Sequence, residues 1–190
     1  KKHCFFRREK KDVLTELPEK QRQVYICDIT TRREYEFAEN NFIKFLEGLG
    51  KSQTEINKSL RAEALSMMNQ LSQIAARGKL NEIKEFTDEV LASGQKLILF
   101  CNLKHIVNEL KKIYPDAVSI TGDDVGDKRQ ANIDKFQEDP DCKLIICNLK
   151  AAGVAVTLTA SSQVGFIEFP WTAALCQQAE DRAHRMGQLN

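Results

Sequence analysis

From Gly94 onward the chain alternates short apolar runs with amphipathic stretches, and no other feature of the sequence constrains its fold as strongly. Lys96 to Cys101, Ala117 to Ile120, Lys143 to Cys147 and Val164 to Phe169 are brief and mostly apolar. Such runs suit strands covered on both faces, the condition of a parallel sheet sandwiched between helices. Between them Leu103, Ile106, Val107 and Leu110 recur on one helical face, followed by Ile133 and Phe136 and then by Ala173 to Met186. The expectation is an α/β fold, a right-handed parallel sheet flanked by helices. Ligands of such sheets gather at the carboxyl ends of the strands, so chemistry is sought in the loops after Cys101, Ile120, Cys147 and Phe169.

The first half follows another pattern. Arg7-Arg8-Glu9-Lys10-Lys11 runs into Leu17-Pro18-Glu19-Lys20, and the apolar segment Val24 to Ile29 predicts a strand. From Thr31 to about Ser93 the spacing is helical: Phe42, Phe45, Leu46 and Leu49, then Leu60, Ala64, Met67, Leu71 and Ile74, then Leu80, Ile83 and Val90. Gly78 and Gly94 are the expected helix stops. The organisation is therefore read as a basic lead-in with a first strand (1–30), a helical insertion or protrusion (31–93) and a core lobe (94–190).

Composition removes several classes of function. With 28 basic and 27 acidic residues among 190, the net charge of +1 excludes a globally basic nucleic-acid binder, so any DNA contact must be local. The six cysteines form no C-x-x-C pair and several lie in apolar runs, as reduced, buried thiols do. His3, His105 and His184 are too dispersed for a metal site, and Asp123-Asp124 reads as a turn and helix cap rather than an ion site. No stretch approaches the ~20 apolar residues of a membrane span, and no signal-peptide core follows Lys1-Lys2-His3. A soluble, monomeric chain of the cytosol or nucleus is expected.

Near the end lies Gln178-Ala179-Glu180-Asp181-Arg182-Ala183-His184-Arg185-Met186-Gly187-Gln188. Gln178, Arg182 and Arg185 fall at i, i+4 and i+7 and would share one helical face. Two guanidiniums and an amide on one face suit phosphate oxygens, as in an arginine finger. A solvated face pairing with Glu180 and Asp181 accounts for the same spacing. Upstream, Lys150-Ala151-Ala152-Gly153 offers a small-residue loop at a strand end, where backbone N–H groups can approach a phosphate, with Lys150 and the hydroxyls of Thr157 or Thr159 alongside. A tight strand-to-helix turn with Lys150 simply solvated fits those residues as well.

These strings together resemble the second RecA-like lobe of Swi/Snf-type, superfamily-two DNA-dependent ATPases. The Gln178 to Gln188 string is similar to motif VI, Lys150 to Ala160 to motif V, and Lys96 to Cys101 to the strand of motif IV. Thr121-Gly122, Arg129 and Phe136 resemble the family's Gly, Arg and Phe signature, and Arg7-Arg8-Glu9-Lys10 with Leu17-Pro18-Glu19-Lys20 its basic lead-in. The wording Glu168-Phe169-Pro170-Trp171 leans toward the annealing-helicase branch. Ala155 departs from the usual second glycine of motif V, Asn148 from the usual serine or threonine, and Thr172-Ala173 from Asn-Pro.

The resemblance implies a helicase C-terminal lobe working with an N-terminal RecA-like lobe in an ATP hydrolase that translocates on double-stranded DNA. Arg182, Arg185 and Gln178 would be catalytic, and with Gly153 would contact nucleotide. Asn102, Thr121, Gly122, Lys150, Ala151, Gly153 and Thr157 would contact DNA without reading its sequence, by contacts that weaken steeply with salt. ATP and Mg²⁺ would act in the intact two-lobe protein, in the nucleus of a eukaryote or with the nucleoid in a bacterial cytoplasm. No G-x-x-x-x-G-K-[ST] string occurs, so this chain alone is expected to be inactive, a fragment of a longer motor. The alternative is a non-catalytic RecA-like module whose arginine face docks DNA or an acidic protein. A free-standing small-molecule enzyme is disfavoured, because the strand ends supply no nucleophile with an oriented base.

Overall fold

The structure is a computed structural model that describes residues 17–50, 58–124, 126–152, 156–170 and 172–185. Three helices, α1 (Arg32–Gly50), α2 (Lys58–Gly78) and α3 (Leu80–Ala92), precede β1 (Leu97–Cys101). Then come α4 (Lys104–Ile113), β2 (Val118–Ile120), α5 (Asp127–Glu138) and β3 (Leu144–Asn148). The short α6 (Leu149–Ala152), β4 (Gln163–Phe166) and α7 (Ala173–Ala183) complete the order.

The four strands form one parallel sheet in the order β2-β3-β1-β4, with Leu99 opposite both Ile146 and Gly165 and Ile120 opposite Cys147. Parallel pairing explains why β1 is buried at every position and β3 at all but Asn148, as the continuous apolar runs predict. Alternate side chains enter opposite faces. Ile98, Phe100, Ile145 and Cys147 pack with Phe136 of α5 and with Ala179 and Ala183 of α7, whereas Leu97, Leu99, Leu144 and Ile146 pack with Ile106, Val107 and Leu110 of α4. Each fully buried Leu, Ile or Phe contributes about 2 kcal/mol to holding these layers.

The helices of the 31–93 stretch divide in their packing. Ile83, Phe86, Val90 and Leu91 of α3 join the cluster around Leu97 and Leu99, so α3 covers one face of the sheet, while α1 packs on α2. Gly94 follows α3 with φ +83°, and its N–H reaches Leu91 O at 3.1 Å, the left-handed stop its sequence position predicts.

Three expectations about element limits are corrected. Val24 to Ile29 is not a strand: no sheet edge among the described residues receives it, and Val24, Tyr25 and Ile26 are 77%, 65% and 98% exposed. The segment is held instead by the ring of Tyr25 near that of Phe86 (5.3 Å) and by Thr30 N–H on Gly78 O (3.0 Å). β1 starts at Leu97, because the Lys96 carbonyl is taken by the Ser161 hydroxyl, while its ammonium reaches the carbonyls of Phe136 and Asp139 at the end of α5. β4 stops at Phe166, because the next ladder donor on β1, the N–H of Asn102, is taken by the Glu168 carboxylate (2.8 Å). Phe169, read from the sequence as the last residue of this strand, lies beyond it, is 69% exposed and stacks on Phe166, and Trp171 lies outside the described residues.

Cys27, Cys101, Cys142, Cys147 and Cys176 are free thiols, and burial pushes those of Cys101 and Cys147 up, as befits inert core residues. Among the described residues no helix is long and apolar enough to cross a membrane.

Candidate functional site

Because the strands are parallel, the loops after Cys101, Ile120, Asn148 and Phe166 open on one edge of the sheet. A chain of hydrogen bonds links three of these loops to α5. Glu168 Oε2 accepts from Asn102 N–H (2.8 Å), and Asn102 O accepts from Asn148 Nδ2 (3.0 Å). Asn148 Oδ1 in turn receives the Ala151 N–H (3.4 Å), and Ala151 O accepts from Arg129 Nη2 of α5 (2.6 Å). Asn148 thus bonds in both directions, bracing the first turn of α6 and tying β3 to the end of β1. Burial raises the Glu168 carboxyl above its ordinary range, and the Asn102 N–H counters only part of this.

The residues expected at the DNA face are placed unevenly by this framework. Asn102 and Ala151 lie in the linked network, and Lys150 is in α6, although its side chain and all of Gly153 lie outside the described residues. Thr121 follows β2, where its N–H (2.9 Å) and hydroxyl (2.7 Å) both bond Asp124 Oδ2. Gly122 is exposed in the ensuing turn, and a Cβ there would meet nothing within 4 Å. Asp124 is 4% exposed and pairs with Lys128 (2.8 Å), while Asp123 pairs with Lys104 (2.6 Å). Burial is the largest influence on Asp124 and pushes its carboxyl up, but the hydrogen bonds from Lys128 and Thr121 together outweigh it and hold the group at about 2. These contacts match the reading of Asp123-Asp124 as a turn but not as a cap, because α5 is preceded by Gly126 and receives no side-chain hydrogen bond at its N-cap. Among the described residues no three His, Cys, Asp or Glu side chains cluster to hold a metal ion.

α7 carries the candidate nucleotide contacts. Its inward face buries only Ala179 and Ala183, leaving Gln178 exposed and Arg182 partly buried. The helix ends at Ala183 rather than Met186, because His184 leaves the helical region (φ −80°, ψ 80°). Arg185 therefore does not continue the Gln178, Arg182 face by helical periodicity. Its N–H turns back to Ala183 O (3.0 Å), and its guanidinium Nη1 donates to Thr157 Oγ1 (2.7 Å). Beside this contact Leu158 N–H donates to Arg182 O (2.9 Å). The segment 157–158 and the arginine-bearing end of α7 are thus joined twice.

The acidic residues of α7 are engaged from elsewhere. Lys20 Nζ reaches Glu180 (3.2 Å) and Asp181 (2.8 Å), Arg22 holds both oxygens of Glu180, and His184 Nε2 meets Pro18 O at 2.7 Å. Sequence reading did not foresee this clasp or the roles of Asn148 and Glu168. Their only signals were the charges of the Leu17 to Lys20 string, the unusual asparagine at 148 and a lone acid inside an apolar segment.

Comparison with known proteins identifies the family and the fold. Residues 78–187 match the helicase conserved C-terminal domain family. Over 97% of its length the chain is 30% identical to the human DNA annealing helicase and endonuclease ZRANB3, covering 17% of that protein. Over 98% it is 30% identical to the SWI/SNF-related matrix-associated actin-dependent regulator of chromatin subfamily A-like protein 1 homolog of Caenorhabditis elegans, covering 27% of it. The chain thus spans less than a third of either relative. The fold matches the Sulfolobus solfataricus SWI2/SNF2 ATPase core in complex with dsDNA, with a TM-score of 0.66 and 22% identity over 85% of this chain and 37% of that one. With a family match over more than half of its residues and relatives of this kind along nearly all of them, the chain belongs to the helicase conserved C-terminal domain family, as a RecA-like second lobe of the Swi/Snf type.

Proposed function

We propose that the chain is the second motor lobe of an ATP-dependent double-stranded-DNA translocase that remodels protein–DNA complexes or DNA junctions. Arg182 and Arg185, with Gln178 one turn before Arg182 on α7, face the phosphates of an ATP held mainly by an N-terminal RecA-like lobe. The loops that carry Asn102, Thr121 and Gly122, and the segment from Lys150 to Thr157, lie along the DNA backbone.

The observation that carries this reading is the double link between segment 157–158 and α7, Arg185 Nη1 to Thr157 Oγ1 and Leu158 N–H to Arg182 O. The segments assigned to DNA and to ATP are hydrogen-bonded to each other, so movement of one is felt by the other. A planar guanidinium on an exposed side chain presents its donors to phosphate oxygens as the transition state gathers charge. The double-stranded DNA in the Sulfolobus relative supports a duplex as the track.

Mg²⁺ does not fit the described residues of this lobe, whose adjacent acids Asp123 and Asp124 are occupied by Lys104, Lys128 and Thr121. The ion is therefore assigned to the partner lobe, and no step here passes through it.

The test is DNA-stimulated ATPase activity of the full-length protein and of its Arg185→Ala variant. Loss of an arginine finger costs on the order of 10³- to 10⁵-fold in turnover, so Arg185→Ala should be nearly inactive while still binding duplex DNA. Near-normal turnover by the variant rejects the role, and absent turnover in the wild type despite tight duplex binding favours a non-catalytic module.

A further inference from the structure

α7 has little apolar grip on the lobe. It is 11 residues long, has no side-chain hydrogen bond at its N-cap Thr172, and buries only two alanines. Small side chains fix the distance of a helix from the core better than its rotation about its own axis, because they interdigitate little. The rotation of α7, and hence the aim of Arg182 and Arg185, is left to polar contacts on its flanks. On one flank these are Leu158 and Thr157.

On the other flank lies the lead-in segment. Arg22 binds Glu180 in a fork, Nε to Oε1 (2.9 Å) and Nη2 to Oε2 (2.8 Å), and Lys20 bridges Glu180 and Asp181. The carbonyl of Pro18 closes the set on His184. Glu180, Asp181 and His184 immediately surround the two arginines in sequence, so the clasp grips the turn that carries them. Glu180 and Asp181 retain only 16% and 30% of their side-chain exposure, and Lys20 21%, which makes this a partly desolvated network rather than an isolated surface pair. The hydrogen bonds from Arg22, and then those from Lys20, lower the Glu180 carboxyl, so it stays charged in the clasp.

We infer that Pro18 to Arg22 form a positioning strap for the arginine-bearing helix, in which Lys20 and Arg22 set the orientation of Arg182 and Arg185 through Glu180 and Asp181. The strap residues are positioning residues, since they act on the phosphates only through α7. The inference rests on the reading of Arg185 given above.

The experiment compares full-length wild type with Lys20→Met, Glu180→Gln, the double variant, Lys20→Arg and Arg185→Ala, measuring kcat, the KM for ATP, duplex affinity and melting temperature. Misaimed groups lose on the order of 10- to 100-fold in rate. Lys20→Met and Glu180→Gln should each lose that much in kcat, with KM, duplex affinity and melting temperature near wild type. The double variant should be little worse than either single, the mark of one shared interaction, and Lys20→Arg should restore most of the rate. Wild-type kcat in both singles, additive losses, or losses that track melting temperature or duplex affinity overturn the strap. If Arg185→Ala is inactive while the strap variants are normal, the strap alone is wrong; if Arg185→Ala is active, the finger reading falls and the strap with it.

Discussion

Thr157 Oγ1 accepts a 2.7 Å hydrogen bond from Arg185 Nη1, although 28 residues of chain separate them and both side chains are exposed. A hydrogen bond to a charged group contributes about 1.5–3 kcal/mol when desolvated, and exposure places this one at or below the lower figure. If the contact relays between DNA and ATP, Thr157→Val, which keeps the shape and removes the acceptor, should lower DNA-stimulated turnover of the intact protein by about tenfold. Thr157→Ser should retain it. Steady-state ATPase assays at saturating duplex DNA decide this, and a valine variant with full turnover would show that the contact carries nothing.

The sheet was legible in the sequence because burial on both faces leaves no freedom in composition: Leu97 to Cys101 and Leu144 to Cys147 have to be apolar wherever they sit in a parallel sheet. The limits of the elements were less legible, because side-chain events set them. β4 ends where the Glu168 carboxylate replaces a strand as the partner of Asn102 N–H. Arg185 escapes the helical face because the backbone turns at His184, and spacing predicts a side chain only as far as helical torsions persist. Val24 to Ile29 has strand-like composition but, among the described residues, no strand beside it. The clasp of Lys20 and Arg22 on α7 was invisible for a different reason, since charge patterns mark candidate partners only at short sequence separation, and these pairs are 158 to 161 residues apart.

Gly78 illustrates a correct expectation with an additional cause. Helix α2 does end there, but Gly78 is not among the described glycines with positive φ. Its absent side chain makes room for the lead-in: an added Cβ would overlap Thr31 Oγ1 and lie 2.8 Å from Ile29 Cβ. Overpacking costs about 1–3 kcal/mol, more than the ~1 kcal/mol an alanine gains in a helix. Gly78→Ala should therefore lower the melting temperature by a few degrees, at roughly 2–4 °C per kcal/mol for a chain of this size. Gly48→Ala in α1, where a Cβ would meet nothing within 4 Å, should leave it unchanged or raise it. Equal shifts in the two variants would mean that the lead-in does not press on Gly78.

Asp124 makes the turn after β2 sensitive to acid. Its carboxyl, held at about 2 against an ordinary 3.8, favours the charged form in the folded chain. A depressed acid stabilises the fold above its unfolded pKa and loses that contribution as pH falls toward its folded value, so the loss should fall between about pH 4 and pH 2. The shift corresponds to at most about 2.5 kcal/mol, at 1.36 kcal/mol per pKa unit. Other depressed carboxyls, Glu180 and Asp88, lose stability in neighbouring acid, so the informative quantity is a difference between variants. Asp124→Asn keeps an acceptor for the Thr121 N–H and hydroxyl but cannot charge. In urea titrations of this chain, wild type should exceed the asparagine variant at pH 6 by about the linkage energy, which already contains the Lys128 pair. That advantage should shrink steadily below about pH 4, because protonation turns the wild-type carboxyl into the neutral acid that the amide mimics. Parallel stability curves across the acid range would mean that Asp124 is not held charged by Thr121 and Lys128, and that the turn owes its conformation to the backbone instead.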